Sequence, residues 1–405
     1  MTEAFFHEQV WGRFMRLPYG HIVDYTDGEG TVFFPTAEDC NRSMPNAFGR
    51  WTPITNGAMF SGLYLSALIR KYTHTPDSKT AEEIRLMVQG LYALQDVGQV
   101  EGFIARGLSD DGTACYPMGS EDQSVPWIMA LAEYLETPLC TAEEAGEIRN
   151  RLLTVLGAMR AAGWQIPMNV EGLYTNEWVK AQNWRSVCKL LYCTRLFYEL
   201  TGDEQERIAY ESLRDGKPEG SIYSRLEIVS QGFTPDMIYN TGLIKMWIHL
   251  DSHLGLLWLA EKDPENRAHY LHACRMNGVA ALPFLKKMLD YDNDIEGFSV
   301  DWRPLATIWE PFDGTFATAI DLSNKTSKYW RVNMVPHRKM EHSVLGEALF
   351  AAWIAASCPE KRIAESAVAQ LTEYSARVDW DTVHLPYAFV AEGTLIFGKT
   401  NGCNL

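Results

Sequence analysis

Residues 62–84 read GLYLSALIRKYTHTPDSKTAEEI, two helical patterns separated by a short polar turn. Apolar side chains recur at helical intervals on both sides of that turn. The turn contains Thr-Pro, and the acidic residues after it favour the positive end of a helix dipole. The stretch therefore predicts a helical hairpin. Its apolar positions are Phe60, Leu63, Tyr64, Ala67 and Leu68, then Ile84, Met87, Val88, Leu91 and Leu94.

The same pattern recurs along the chain. Each copy has an apolar helix carrying an aromatic residue near its end, a polar turn and an acidic start to the next helix. Near-equal steps separate most copies and one step is longer, so we infer a repeated helix pair with one inserted segment. The further copies cover residues 127–148, 188–208, 255–268 and 349–363.

These repeats predict an all-α fold, an (α/α)6-type barrel in which helical hairpins form a closed toroid, with residues 1–405 as a single domain. A helix over residues 3–16 and the C-terminal segment are expected to supply a sixth pair. The first helix of each pair carries small residues such as Gly57, Ser61 and Gly62, which let helices crowd around an axis. We therefore place it on the inner ring. An open helical solenoid is the alternative.

The connections within hairpins are short and those between hairpins are long. In a closed ring the long connections emerge at one end, beside the N-termini of the inner helices. Long loops in compact domains are usually functional, so we expect the site at this mouth. The long connections cover residues 17–55, 96–121, 163–181, 214–245 and 290–339, the last being an inserted loop region.

The net charge is −16, and this acidic balance repels phosphate backbones and anionic lipid. We therefore expect neither nucleic acid nor a membrane as partner. The first residues lack the basic and apolar regions of a secretory signal, and eight scattered cysteines indicate free thiols in a reducing compartment. A cytoplasmic location follows as an expectation. The composition leaves the oligomeric state open.

The pattern of residues 56–64 (NGAMFSGLY), and the segment 102–107 (GFIARG) leading to 119–123 (GSEDQ), resemble the six-hairpin glycosidase superfamily. Unsaturated glucuronyl and rhamnogalacturonyl hydrolases belong to it, as do several polysaccharide lyases. The resemblance is one of architecture over most of the chain, and no signature of an individual family is matched. It implies a carbohydrate substrate more than a particular reaction.

Three carboxylates are catalytic candidates. Asp122 stands at the predicted start of the second inner helix, where the resemblance implies a catalytic acid; capping that helix is the alternative. Glu177 precedes the third inner helix, and Asp251 lies ahead of the fourth. A hydrolase needs two carboxyl groups across the sugar, so Asp122 paired with Glu177 or Asp251 is the hypothesis.

Two histidines are candidate bases, because neutral imidazole titrates near neutral pH. His253 lies four residues after His249, and His342 opens the fifth inner helix. A structural polar pair is the alternative. His337 and Glu341 accompany His342, but no third metal ligand is evident and the pattern is not His-Glu-x-x-His, so we predict no metal.

The predicted binding residues have side chains that stack on sugar rings or hydrogen-bond hydroxyl and carboxylate groups. Arg106 and Arg185 are expected to clamp a carboxylate of a uronate. Packing of loops is the alternative for many of the aromatic residues. The full set is Asn56, Arg106, Tyr116, Gln123, Trp178, Arg185, Trp302 and Trp309.

No phosphate-binding loop, dinucleotide fingerprint or G-x-S-x-G elbow is found, so we expect no cofactor. The leading hypothesis is a glycoside hydrolase acting on a small oligosaccharide, with uronate-containing oligosaccharides among the candidate substrates and Asp122 as general acid. The alternatives are a polysaccharide lyase or sugar epimerase that uses His253 or His342 as base, and a non-catalytic carbohydrate-binding toroid.

Overall fold

The computed structural model describes residues 1–233, 245–294, 298–333 and 336–403, and it is predominantly helical. The all-α prediction is confirmed. The α-helices of the described residues are α1 (Glu3–Gln9), α2 (Ala37–Asn41), α3 (Gly57–His74), α4 (Ser78–Asp96), α5 (Glu121–Leu135), α6 (Ala142–Ala161), α7 (Trp184–Thr201), α8 (Glu204–Asp215), α9 (Arg225–Ser230), α10 (Leu250–Lys262), α11 (Arg267–Ala281), α12 (Phe316–Asn333), α13 (Pro336–Met340), α14 (Glu347–Ala356), α15 (Lys361–Ser375) and α16 (Ala388–Thr400).

Shorter elements connect these helices. The described residues contain two antiparallel ladders: β1 (Met15–Arg16) with β2 (His21–Ile22), and β3 (Ile166–Pro167) with β4 (Tyr174–Thr175). Single π-helical turns follow α1 and precede α14, and 3₁₀ turns fill several loops. Their bounds are Val10–Phe14 and Glu341–Gly346 for the π turns, and Met246–Ile248, Leu282–Asp290, Arg303–Ile308 and Trp380–Thr382 for the 3₁₀ turns.

Capping side chains set the helix starts at the hairpin turns. Asp77 accepts from the backbone N–H of Thr80 at the start of α4, and Thr141 forms a capping box with Glu144 at the start of α6. Gly202 ends α7 in the left-handed conformation, which glycine adopts without a steric penalty. The polar turns recognised in the sequence therefore end one helix and begin its partner.

Contacts between helices follow the predicted pairing. Helices α3, α5, α7, α10 and α14 each pack against the helix that follows, namely α4, α6, α8, α11 and α15. The last helix, α16, packs against α14, against α3 and against the N-terminal helix α1. The small residues expected on the inner side of α3 are buried, and Gly62 lies against the backbone of Pro126 in α5. Close approach there requires a residue without a Cβ atom.

The segment 290–339 is not a loop throughout, because it contains the 3₁₀ turn Arg303–Ile308 and the 18-residue helix α12. The prediction overlooked a helical spacing of buried side chains in this segment. Trp330 of α12 stacks on Trp51, and with Trp302 and Leu305 it forms a small separate hydrophobic cluster. Residues 295–297 and 334–335, like 234–244 of the connection 214–245, lie outside the described residues. The buried positions of α12 are Ala319, Leu322, Ser323, Thr326, Ser327 and Trp330.

All eight cysteines are free, and all except Cys140 are buried, as the sequence predicted. Across the ranges that the structure describes, we find no helix with both the length and the apolar character needed to cross a bilayer.

Candidate active site

Residues at or near the starts of helices α3, α5, α7, α10, α14 and α16 form several separate groups of polar contacts. Asn56 immediately precedes α3, Ser120 precedes α5, and His249 precedes α10. Glu347 lies where the π turn Glu341–Gly346 passes directly into α14, and Tyr387 precedes α16. Polar side chains from distant parts of the sequence thus lie at or near the starts of these helices.

Asp122 lies at the centre of the first group of contacts. The Ser120 hydroxyl donates to one carboxylate oxygen of Asp122, and Nε2 of Gln123 donates to the other at 3.2 Å. Nε2 of Gln123 also lies 3.3 Å from Oδ1 of Asn56, whose Nδ2 donates to Asp24 at 2.6 Å. The predicted residues Asn56, Asp122 and Gln123 are therefore brought together. Asp122 and Asn56 remain partly accessible to solvent.

Arg106 does not face the solvent; it is buried and donates hydrogen bonds to the loops around Asp122. Its guanidinium donates to the carbonyl oxygens of Met118 and Thr55 and, at 2.7 Å, to Oγ of Ser120, and the residue is 4% exposed. The expectation that Arg106 clamps a substrate carboxylate does not fit these contacts, because the side chain is buried and each of its three nitrogens already donates to a protein acceptor. Burial acts to raise the pKa of Asp122, but the Arg106 charge and the Ser120 hydrogen bond outweigh it and the pKa is lowered.

A buried lysine organises the second group. Nζ of Lys189 lies 2.9 Å from Oδ2 of Asp251 and 3.6 Å from Oε1 of Glu121, and Lys189 is 1% exposed. Nε of Arg185 lies 3.2 Å from Glu121, and Trp178 donates its indole N–H to Glu121 at 2.7 Å. The structure thus brings Asp251, Arg185 and Trp178 into one cluster. Glu121 contacts Arg185, Lys189 and Trp178 in this cluster, and the sequence analysis did not select it.

Glu347 is a buried carboxyl group that the sequence analysis also missed. It is 4% exposed and accepts a hydrogen bond from the backbone N–H of Met246. Burial raises the pKa of Glu347 to about 8, against the opposing charges of Lys287 and Lys245. The sequence feature that could have revealed Glu347 is that it is the one acidic residue among small and apolar residues at 346–356 (GEALFAAWIAA).

His342 lies near this carboxyl group in sequence and is accessible to solvent. Its Nδ1 lies 2.7 Å from the Tyr387 hydroxyl, and its ring lies 5.9 Å from that of Trp247. Crowding by the surrounding protein, together with the charges of Arg338 and Lys245, lowers the pKa of His342 to about 4. The imidazole is therefore neutral near pH 7.

Cations line the same region. Arg338 pairs with Asp24 and lies over the rings of Tyr25 and Trp51, 4.7 and 4.6 Å from their centroids. Burial and the neighbouring charge of Arg331 lower the pKa of Arg50. Crowding and the charges of Arg185 and Arg50 lower the pKa of Lys245. These positive charges are close enough to repel one another, although the net charge of the whole chain is −16.

Two catalytic candidates lie elsewhere. Glu177 is 54% exposed and pairs with Lys180 at 2.9 Å, as surface carboxylates commonly do. His253 is fully buried and faces α11, with Nδ1 3.2 Å from Nδ2 of Asn277. The four-residue spacing of His249 and His253 predicted that both share one helix face. The packing shows that His253 points toward α11.

Three predicted aromatic residues serve the packing of loops. Tyr116 is buried against Gly49 and donates its hydroxyl to the carbonyl oxygen of Met44. Trp302 donates its indole N–H to the carbonyl oxygen of Phe33 at 2.8 Å. Trp309 lies beneath the guanidinium of Arg42, 4.7 Å from the ring centroid. These contacts match the alternative stated for the aromatic residues, which was loop packing.

Comparisons with known proteins add no family to this geometry. No protein-family model, no curated protein and no solved structure matches the chain.

Proposed function

We propose that the helix pairs close into an (α/α) toroid and that its mouth is the active site of a glycoside hydrolase. Two observations support closure: α16 packs against α3, and the N-terminal helix α1 packs against α16 as its outer partner. An open solenoid has no reason to bring its first and last helices into contact. Closure also accounts for the gathering of distant polar residues at the helix starts.

One observation carries the proposed chemistry: two carboxyl groups at the mouth have pKa values displaced in opposite directions. The pKa of Glu347 is raised to about 8, so it holds a proton at pH 7. The pKa of Asp122 is lowered, so it is ionised. Both interact electrostatically with Lys245. Such a pair divides the acid and base roles in many hydrolases.

In this assignment Glu347 donates the proton to the leaving glycosidic oxygen, and Asp122 activates the attacking water. The assignment differs from the sequence-based hypothesis, which made Asp122 the acid, because Arg106 and Ser120 keep Asp122 ionised. The accessible cations Arg50, Lys245 and Arg331 favour an anionic saccharide, with a uronate carboxylate as their ligand.

The test is hydrolysis of neutral and uronate-containing oligosaccharides by wild type and by Glu347→Gln and Asp122→Asn. We expect the wild type to release reducing ends from a uronate substrate and each variant to be slower by about 10²–10⁴-fold. Glu177→Gln is the matched control, because Glu177 lies on the surface, and its rate should equal that of wild type. Wild-type rates in both mouth variants would refute the assignment.

The pH dependence tests the roles separately. The wild-type kcat/KM should fall as the pH rises through about 8, because Glu347 then loses the proton that it donates. Glu347→Gln should lack this alkaline limb. An identical limb in the variant would assign the titration to another group.

A second candidate function is favoured by the neutral, accessible His342 bonded to Tyr387. In a lyase or epimerase this imidazole removes the proton beside a uronate carboxylate. Elimination creates a double bond that absorbs ultraviolet light, whereas hydrolysis alone does not. Absorbing product that disappears in His342→Ala would replace the hydrolase assignment by a lyase.

A further inference from the structure

His337, Glu341 and His384 form a compact cluster behind the mouth. Their candidate ligand atoms all lie within 4.8 Å of one another. Nε2 of His337 lies 2.9 Å from Oε1 of Glu341. His337 and Glu341 are four residues apart across the junction of α13 and the π turn Glu341–Gly346, while His384 arrives from the loop before α16.

The spacing fits ligands of one ion. Metal–ligand bonds of about 2.1 Å at angles near 90–109° separate neighbouring ligand atoms by about 3.0–3.4 Å. The 2.9 Å between Nε2 of His337 and Oε1 of Glu341 is close to the lower end of this range. Two imidazoles and one carboxylate are also the ligand set that many divalent transition-metal sites use.

A hydrogen bond to a backbone carbonyl oxygen and a stacked aromatic ring orient the imidazole of His384, as such contacts orient imidazoles that bind metals. Its Nδ1 lies 3.0 Å from the carbonyl oxygen of Thr26, so Nδ1 carries the proton and Nε2 presents its lone pair. Outer partners of this type orient the ligands of known metal sites. Phe298 stacks on the ring at 4.0 Å and 10°, which fixes the plane of the imidazole.

Glu341 is oriented in the same way. It is fully buried, and its carboxylate accepts backbone N–H groups of His384 at 3.0 Å and of Leu385 at 2.8 Å. Oε2 accepts both of these backbone N–H groups, whereas Oε1 accepts only that of His384 and lies 2.9 Å from Nε2 of His337, so a cation would bind Oε1 in place of the proton shared with His337. His384 is only half-buried, which gives an ion a route of entry.

We propose that His337, Glu341 and His384 together bind one divalent transition-metal ion, such as Zn²⁺. The ion joins the loop that contains His384 to the start of the fifth inner-type helix. Tyr387, three residues beyond His384, lies with its hydroxyl 2.7 Å from Nδ1 of His342, so the proposed ion site is close to His342 along the chain. This site is independent of the proposed hydrolase chemistry.

The experiment measures binding directly in the full chain. Protein stripped with a chelator is titrated with Zn²⁺ by calorimetry, and with Co²⁺ while visible absorption is recorded. We expect one equivalent of Zn²⁺ per chain, and a Co²⁺ spectrum of histidine and oxygen ligation. A stripped wild type that binds no stoichiometric metal overturns the proposal, whatever the enzymatic activity.

His384→Asn is the decisive variant. The asparagine Nδ2 lies where Nδ1 of the imidazole lay, so it can keep the hydrogen bond to Thr26 while Nε2 is removed. We expect affinity for Zn²⁺ to fall by more than about tenfold, the loss that even outer partners of ligands produce. Unchanged affinity in this variant overturns the proposal.

The matched control is His269→Asn, the same change at an exposed histidine of α11 that contacts Ser230. Its affinity and stoichiometry should equal those of wild type. An equal loss in both variants would mean that Zn²⁺ binds surface histidines, and would also overturn the proposal. Thermal melts of the stripped proteins establish that His384→Asn is folded.

Discussion

At the residue scale, Lys189 is a buried cation between two acids, and Arg106 is a buried cation that holds the loops around Asp122. Burial acts to lower the pKa of Lys189, but Asp251 and Glu121 outweigh it and the pKa is raised. The lysine is therefore charged, and the two acids depend on it. Each cation neutralises carboxylates that would otherwise repel one another in a region of low dielectric constant.

Lys189→Met should destabilise the protein strongly, because it leaves Asp251 and Glu121 without their common partner. Loss of one member of a buried ion pair costs about 3–5 kcal/mol. Urea unfolding followed by circular dichroism measures the change. Lys180→Met is the control, because the Lys180–Glu177 pair is on the surface, and its unfolding midpoint should match that of wild type. Equal midpoints for the two variants would contradict the prediction.

At the element scale, α3 and α5 approach each other at Gly62. A Cβ atom there would lie 2.5 Å from the backbone carbon and oxygen of Pro126, and backbone atoms cannot rotate away. Gly62→Ala should therefore destabilise the protein by about 1–3 kcal/mol. Gly146→Ala in α6 meets no atom within 4 Å and should stabilise by about 0.4–1 kcal/mol. Chemical unfolding compares the two, and a stable Gly62→Ala would deny the close approach.

The docking of α1 provides a second element-scale prediction. His7 lies 3.0 Å from both Glu83 of α4 and Glu392 of α16. Burial opposes its charge, but the two carboxylates outweigh burial and raise the pKa of His7 from 6.5 to about 9. The stabilisation is complete below pH 6.5 and is lost as the pH rises through 9.

The free energy of unfolding of wild type should exceed that of His7→Gln by more at pH 6 than at pH 9.5. Urea titrations of both proteins at each pH measure this difference. A difference independent of pH would show that His7 stabilises α1 by packing and not by charge.

At the scale of the whole molecule, contact of α16 with both α1 and α3 couples the two ends of the chain. Because one large cluster of buried side chains connects these helices, we expect them to unfold together. We expect the tryptophan signal in the near ultraviolet and the helical signal in the far ultraviolet to vanish at the same urea concentration. Two separated transitions would argue for two domains.

The sequence by itself determined the five helical hairpins and the pairing of their helices. Apolar spacing and capping residues act within a few neighbours along the chain, so residues 62–84 show their hairpin without any knowledge of the rest. Position at a helix start was predictable for Asn56, Asp122 and Asp251 for the same reason. Helix α12 was missed by the sequence analysis. Its buried side chains do recur at helical intervals, but the whole segment 290–339 was interpreted as one inserted loop.

Only the tertiary structure decided which side chains meet and in what state. His384 joins Glu341 across 43 residues, and α16 meets α3, because packing of the whole chain sets those distances. The neighbours of Arg106 and His253 in space decide which way these side chains point. The neighbours of Glu347 in space likewise raise the pKa of its carboxyl group. Charge and burial act through space, and no spacing along the sequence encodes them.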